Sequence, residues 1–565
     1  MTEETKRAGD AIALRAGPLE VMFQDGALHT FVAFGVEVWR GVMFLHRDAT
    51  WRTPAVAVRD LRVTAREASF HLTFDARCAM SGATLAWHAV VEGDTSGSIR
   101  FAVEAQPDAD VPTNRTGLCV LHPLSAAGSR LEIEHADGRL SHSTFPTLIS
   151  PWQPFTQIRA LRHEFLQGCW ARCRLDGDVF EMEDQRNFSD ASYKTYSRSN
   201  LMPRPYRLAA GERIRQSATL TLEACEPVRA RPRTPDPCVE ITRTRIGRLP
   251  RIGLSLARLT AGCAARPGLW HASIDRIAAG AESRDDVQEI QRRAAVAGVA
   301  IELLLADDRE AAQECRNLSE RLSSAGVTPE SIAVFPTTRR SVSAARAAFT
   351  RSLVGGGTPW FFTDLNRATL PAELDFITFR TCPIVHVADD RSVMQTLSTL
   401  PSIIATLRER HPGVAFRVGP ASISMNVNPF GAWPEATDGT PVAMARDDPR
   451  DHESFGVAWG MGYLARLASG GADVVSFASP TVFTALASLA QRAGAGLLDA
   501  TVSDDTIAAL AFETPRGIEA WMANLTDRPA RATLRIAGEN RRTLAVAPYG
   551  LARVDVSAAD SRVDR

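Results

Sequence analysis

The sequence predicts a multidomain α/β protein: a central (β/α)8 TIM barrel flanked by a large N-terminal β-sandwich and a small C-terminal β-domain. Three observations carry that expectation. The first third alternates apolar and polar residues with period two. From about residue 248, strand-like runs alternate with amphipathic helical ones, and after about residue 505 the period-two pattern returns.

Within residues 1–225 the runs FHLTFDARC, LAWHAVVEG, SIRFAVEAQ and RQSATLTLEA all read as strands, with DG and GD turns between runs. Short, regularly spaced strands without convincing helices fit an antiparallel sandwich. EPVRARPRTPDP then opens a Pro/Arg-rich linker assigned to 226–247. Eight apolar strand candidates follow in 248–505: IGLSLA, LWHASI, AIELLLA, SIAVFP, PWFFTD, FITF, AFRVG and DVVSFA. Helical stretches such as SRDDVQEIQRRAAVAG and SVMQTLSTLPSIIATLRERH separate most of them. Eight parallel strands in about 250 residues is the length of a TIM barrel. GGG at Gly355–Gly357 is expected as a turn into strand five. GIEAWMANL, ARATLRIAG and RTLAVAPYG then define a β-domain over 506–565, with a polar tail after Val556.

Composition excludes several functions. A formal net charge of −1 offers no electrostatic footprint for nucleic acid or an anionic membrane. MTEETKRAGD lacks the apolar region of a signal peptide and no apolar run reaches membrane-spanning length, so a cytoplasmic protein is expected. The nine cysteines are scattered without a CxxC pair, as reduced, mostly buried thiols would be. Strand one carries no HxH and the chain no HExxH, so neither a metal nor another cofactor is expected. A homo-oligomer is compatible with the sequence.

In a TIM barrel the chemistry sits at the C-terminal strand ends and the loops that follow. LWHASID places His271, Ser273 and Asp275 on one side of strand two, with Asp275 at the mouth. FFTDLNR puts Phe362, Asp364 and Asn366 on one side of the end of strand five. RTCPIVHVADD offers Arg380, His386, Asp389 and Asp390, the two aspartates also fitting a helix N-cap. Asn426 and Asn428 follow strand seven beside Pro429, and Ser479 is the first polar group after strand eight. A conventional glycosidase needs two facing carboxyls, and only strand five supplies one in the obvious places.

One segment stands apart. EMEDQRNFSDASYKTYSR, residues 181–198, holds four acids and two tyrosines around Lys194. The chain has 62 arginines and two lysines, so a retained lysine suggests a site that needs a compact ammonium. With Arg186, Asn187, Asp190 and Tyr196 it makes a dense donor set suited to a polyhydroxylated ligand or an oxyanion. A solvated polar loop is the bland alternative; the other is a segment that reaches over the barrel mouth.

NRTGLCVLHP, FPTLISPWQPF, EMEDQRNFSDASYKTY, FFTDLNR, PIVHVADD and SFGVAWGMGYLARLASGGADVVSF occur in an order that resembles the D-apionate lactonase family. The resemblance spans essentially the whole chain. It implies a bacterial enzyme of apiose catabolism with an N-terminal β-domain, a TIM barrel and a C-terminal β-domain, hydrolysing D-apionolactone to D-apionate. The chain departs from the family's usual pattern at Asp364, where a glutamate is usual, and at Ser479, where an acid is usual.

Direct attack of water on a lactone carbonyl needs a base, an oxyanion partner and groups that position the hydroxyls. Asp364 or His386 is the expected base, and Lys194 with Arg186 the expected oxyanion partner. Asn187, Asp190, Tyr196, Asp275, Asn366, Asn428 and Ser479 complete the expected substrate-binding set. A TIM-barrel glycoside hydrolase and a non-catalytic carbohydrate-binding protein remain the alternative readings.

Overall fold

The computed structural model describes residues 11–80, 82–223, 236–256, 268–275, 282–295, 297–431, 433–434, 440–536 and 541–557. They fall into two compact units. The first comprises 1–186 and 191–233 with 430–432; the second comprises 187–190, 234–429 and 433–565.

The first unit is antiparallel throughout its paired strands. One series runs through Ile12–Ala16, Leu19–Gln24, Ala27–Ala33 and Val36–Asp48 to Val111–Pro123, Ser192–Tyr196 and Phe180–Asp184. A second runs through Val56–Ala65, Phe70–Met80, Ala83–Gly93 and Ser98–Pro107 to Ile214–Glu223 and Cys169–Asp176. Phe155–Leu166 pairs with members of both series. Alternate side chains of the two series share one core, where Phe23 meets Phe74 at 5.4 Å and Phe44 meets Trp87 at 5.3 Å between ring centroids. Period two in the sequence therefore reports one buried face per strand, as along β-strand Phe70–Met80, where Phe70, Leu72, Phe74, Ala76 and Cys78 are buried.

The barrel of the second unit closes from eight parallel strands: β1 Arg251–Ser255, β2 Leu269–Asp275, β3 Gly298–Leu304, β4 Ser331–Phe335, β5 Leu353–Phe361, β6 Phe376–Arg380, β7 Ala415–Ala421 and β8 Val474–Phe477. Each pairs with the next, and Arg251 opposite Val474 closes β1 on β8. Helices α1 Glu282–Ala294, α2 Ala311–Ser324 and α3 Arg339–Ala348 follow β2, β3 and β4. Thr338 and Ser341 form a capping box that fixes the start of α3. After β5 comes α4 Phe362–Arg367, after β6 come α5 Asp390–Gln395 and α6 Leu400–Arg410, and α7 Ser454–Ser469 precedes β8. α8 Pro480–Ala485 follows β8. The connection between β1 and β2, residues 257–267, lies outside the described residues.

Three local expectations are corrected. Gly355–Gly357 are strand residues of β5, not a turn: a Cβ on Gly355 would lie 2.5 Å from the Phe376 ring, and one on Gly357 2.2 Å from Thr378 O. Glycine admits the neighbouring strand at that distance. Pro359–Asp364 is not one strand either, since α4 begins at Phe362. Cys238–Arg248, within the expected linker, is a strand; it pairs parallel with Ala530–Ile536 and antiparallel with Gly496–Val502. Ile507–Thr514, Gly517–Asn524, Arg542–Val546 and Leu551–Ser557 complete that seven-stranded sheet around Val239, Ile241, Met522 and Leu534. The remainder of the expected linker before residue 236 and the tail after 557 lie outside the described residues.

The core of the first unit encloses His46, His122 and His163. Burial pushes His46 and His163 down to about 4, and His122 well below its ordinary value. An unfolded chain protonates these rings near pH 6.5, so between about 6.5 and about 4 it binds more protons than the folded chain. Their contribution is fully present above pH 6.5 and drains as the pH falls. Denaturant titrations followed by circular dichroism should show stability falling from pH 7 to pH 5, each histidine removing about 1.4 kcal/mol per pH unit below 6.5.

Candidate active site at the barrel strand ends

Four residues, Asn187–Asp190, belong to the barrel unit although the chain on either side of them belongs to the first unit. Hydrogen bonds fasten them at both ends. Thr363 Oγ1 donates to Asn187 O at 2.7 Å, Asn366 Nδ2 to Asn187 Oδ1 at 2.9 Å, and Thr399 Oγ1 to Asp190 O at 3.0 Å. Thr363 and Asn366 lie on α4, directly after β5, and Thr399 precedes α6 in the segment after β6. The anchors are therefore at the C-terminal side of the barrel.

Asp190 Oδ2 lies 2.7 Å from His386 Nδ1. His386 comes from the loop after β6, and the Phe188 ring meets it edge-on with centroids 5.2 Å apart. A carboxylate on Nδ1 fixes the imidazole tautomer and aims Nε2 as the basic nitrogen, the arrangement that general-base histidines use. The structure thus brings together Asn187, Asp190, Asn366 and His386 from the expected set.

Asp364 lies on the other side of α4 from Asn366. In a helix, residues two apart point about 200° away from each other, so the helical start at Phe362 turns Asn366 inward and Asp364 outward. Asn366 is buried and Asp364 exposed. Surrounding protein still raises the Asp364 carboxyl above its ordinary value, against the pull of Arg367.

Below the mouth, Arg380 Nη2 reaches Glu302 Oε2 at 2.5 Å and His271 Nε2 lies 3.3 Å from Glu302 Oε1. Burial would raise the Glu302 carboxyl, but Arg380 and His271 outweigh it and hold it at about 2. Glu302 escaped the sequence reading because it sits inside the apolar run AIELLLA; a lone acid in such a strand was the available signal. Asp275 ends β2, and its side chain lies outside the described residues.

The ends of β7 and β8 carry a second polar network. Asp451 accepts from the backbone of Ile423 at 2.9 Å and of Ser424 at 3.1 Å, and Asp448 chelates Arg450 at 2.9 and 2.8 Å. The Ser479 hydroxyl joins this network. It caps α8 by accepting from Val482 N and donates to Asp451 O at 2.6 Å. Asn426 donates to Ser422 Oγ, and Asn428 lies half-buried beyond it. Asp389 caps α5 as its position suggested, and Asp390 pairs with Arg450 at 2.7 Å. Among the described residues no three His, Cys, Asp or Glu side chains converge as metal ligands would.

The other expected residues belong to the first unit. Lys194 Nζ pairs with Glu183 Oε2 at 2.7 Å, both buried; burial lowers the ammonium pKa and Glu183 opposes that. Tyr196 donates to Glu181 Oε1 at 2.5 Å beneath Arg115, 3.6 Å from its ring centroid, and burial raises its phenol. Arg186 donates to both Asp184 oxygens at 2.8 and 2.7 Å and to the carbonyls of Pro146, Thr147 and Leu148. A guanidinium so engaged folds the chain locally. Arg186→Ala would strand the buried Asp184 charge; chemical denaturation should show a loss of about 3–5 kcal/mol.

Three family models match in succession: the D-apionate lactonase N-terminal domain over residues 1–225, its TIM barrel domain over 255–503 and its C-terminal immunoglobulin-like domain over 504–554. A curated D-apionate lactonase from Brucella anthropi is 33% identical, covering 92% of this chain and 93% of its own. Among solved structures, a GH30 endoxylanase from Clostridium papyrosolvens overlaps at TM-score 0.38 with 9% identity, over 56% of this chain and 98% of its own. An α-galactosidase from Lactobacillus brevis overlaps at 0.27 with 9% identity, over 99% and 97%. Those two overlaps are too low to bear on the chemistry, whereas the domain matches and the Brucella relative agree along the whole length: the chain belongs to the D-apionate lactonase family.

Proposed function

We propose that the protein hydrolyses a sugar lactone, D-apionolactone to D-apionate, with His386 as general base and Asp190 as its orienting partner. The 2.7 Å contact between Asp190 and His386 Nδ1 at the strand ends carries this assignment, within a chain of the D-apionate lactonase family. His386 Nε2 takes a proton from water as the water oxygen bonds to the lactone carbonyl carbon. The tetrahedral intermediate collapses by breaking the bond to the ring oxygen, which leaves as a hydroxyl with the proton held by His386. The new carboxylic acid then ionises and releases one proton to solvent. Asp364, exposed on the opposite side of α4 from Asn366, takes no part in these steps.

The reading includes a complete (β/α)8 repeat around the eight-stranded barrel, a sandwich arrangement in the first unit, a cytoplasmic location in a bacterium and hydrolysis without a metal. No helix among the described residues is long and apolar enough to cross a membrane. The substrate is a small molecule, and the segment Asn187–Asp190 supplies polar groups where its hydroxyls would lie.

A pH-stat assay on D-apionolactone and a panel of aldonolactones, before and after EDTA, tests the activity. Acid release above the spontaneous rate, unchanged by EDTA, is expected; turnover of aryl glycosides instead would overturn it. His386→Ala should lower kcat by about 10²–10⁴-fold. Asp364→Asn should stay within a few-fold of the parent, and a collapse there with an active His386→Ala would reverse the assignment of the base.

A further inference from the structure

The segment that carries Asp190 is held in place at more points than its four residues need for burial. Asn187 is fixed twice, through its carbonyl by Thr363 and through its side chain by Asn366, and Asp190 is fixed through its carbonyl by Thr399. Between these anchors Ser189 adopts φ +74°, in the left-handed region that a residue with a Cβ enters at a cost. Such a conformation persists only where the surroundings over-determine it. Here the anchors bracket the strained residue on both sides, and the residue they deliver is the carboxylate on His386. The neck of the segment is closed as well, with Ser192 Oγ donating to Gln185 Oε1 at 2.8 Å.

Each anchor is a buried side chain that gives a hydrogen-bond donor to this segment. Thr399, Asn366 and Thr363 are all less than 5% exposed. A buried hydroxyl or amide is retained only where it is satisfied, since an apolar residue of the same shape would otherwise serve. Two of the anchors stand on α4 after β5 and one before α6, so two separate barrel connections converge on one short stretch.

We propose that Thr399 and Asn366 are positioning residues for the hydrolysis: they clamp Asn187–Asp190 to the barrel and so set the Asp190 carboxylate against His386. This rests on the reading of His386 as the base. It gives Asn366 a role other than contact with substrate hydroxyls, and gives Thr399 a role that its place in the sequence does not suggest. A base that is merely misaimed loses rate while the pocket that binds the substrate is retained. The signature is a fall in kcat at constant KM.

The test uses the full chain with D-apionolactone in the pH-stat. Thr399→Val keeps the shape and removes the donor; Asn366→Leu does the same at the other end. Each should lower kcat by about 10-fold or more with KM within two-fold, with circular dichroism and melting unchanged enough to show a folded protein. Thr399→Ser, which restores the donor, should recover most of the rate. In a His386→Ala background, Thr399→Val should cause no further loss, because the group it positions is gone. Parental kcat in both Thr399→Val and Asn366→Leu, with His386→Ala inactive, would overturn the clamp and leave the base assignment standing. The same holds for a loss in Thr399→Val that Thr399→Ser fails to recover. Parental activity in His386→Ala would remove the base assignment and the clamp with it.

Discussion

A carboxylate taken out of water must find a cation or several donors, and that constraint shapes the buried acidic sites among the described residues. Leaving one such charge unpaired costs several kcal/mol, comparable with a large part of a domain's net stability. Asp184 is met by Arg186, Glu183 by Lys194, Glu302 by Arg380, and Asp448 by Arg450. Asp451 is met by backbone N–H groups of Ile423 and Ser424 instead. In each case the pairing also fixes a stretch of chain. Asp184 and Arg186 hold the carbonyls of 146–148, and Asp451 holds the turn after β7. Asp190 pairs with the His386 imidazole, which can give up a proton at physiological pH, whereas a guanidinium cannot. In the proposed reaction that difference is what lets the Asp190–His386 pair pass a proton.

The order of the domains was legible because periodicity reports burial directly. Strands with one buried face alternate, and barrel strands buried on both sides read as apolar runs, as Ser331–Phe335, buried at every residue, shows. Boundaries were less legible. Cys238–Arg248 looked like linker because its outward residues are arginines and threonines, and only Val239 and Ile241 enter the core of the C-terminal sheet. The end of β5 was misread because FFTDLNR has the same residues two apart whether strand or helix. Only the backbone, helical from Phe362, decides which of Asp364 and Asn366 faces inward.

The site was legible in part for a related reason. His386 and Asp190 lie 196 residues apart, and no spacing rule connects them. What the sequence did show was a density of hydrogen-bonding groups in 181–198, and that density has two different causes. Residues 187–190 belong with the barrel; residues 181–186 and 191–198 are buried polar strands and turns of the first unit. Polar residues in a fully buried strand look like a solvated loop in sequence. Glu302 was hidden by the converse effect, an acid masked by six apolar neighbours in AIELLLA.

Lys194 makes the distinction concrete. It stands directly opposite Glu183 across paired antiparallel strands, where side chains on one face are neighbours. The ammonium also lies 5.4 Å from the Tyr196 ring centroid, while the Arg115 guanidinium already covers that ring at 3.6 Å. Two guanidiniums would compete for one aromatic face and one carboxylate, and the longer, planar group would overpack a site that is closed to solvent. A compact ammonium satisfies Glu183 without displacing Arg115. In a chain of 62 arginines and two lysines, this steric reason accounts for a lysine at the position independently of any part in catalysis.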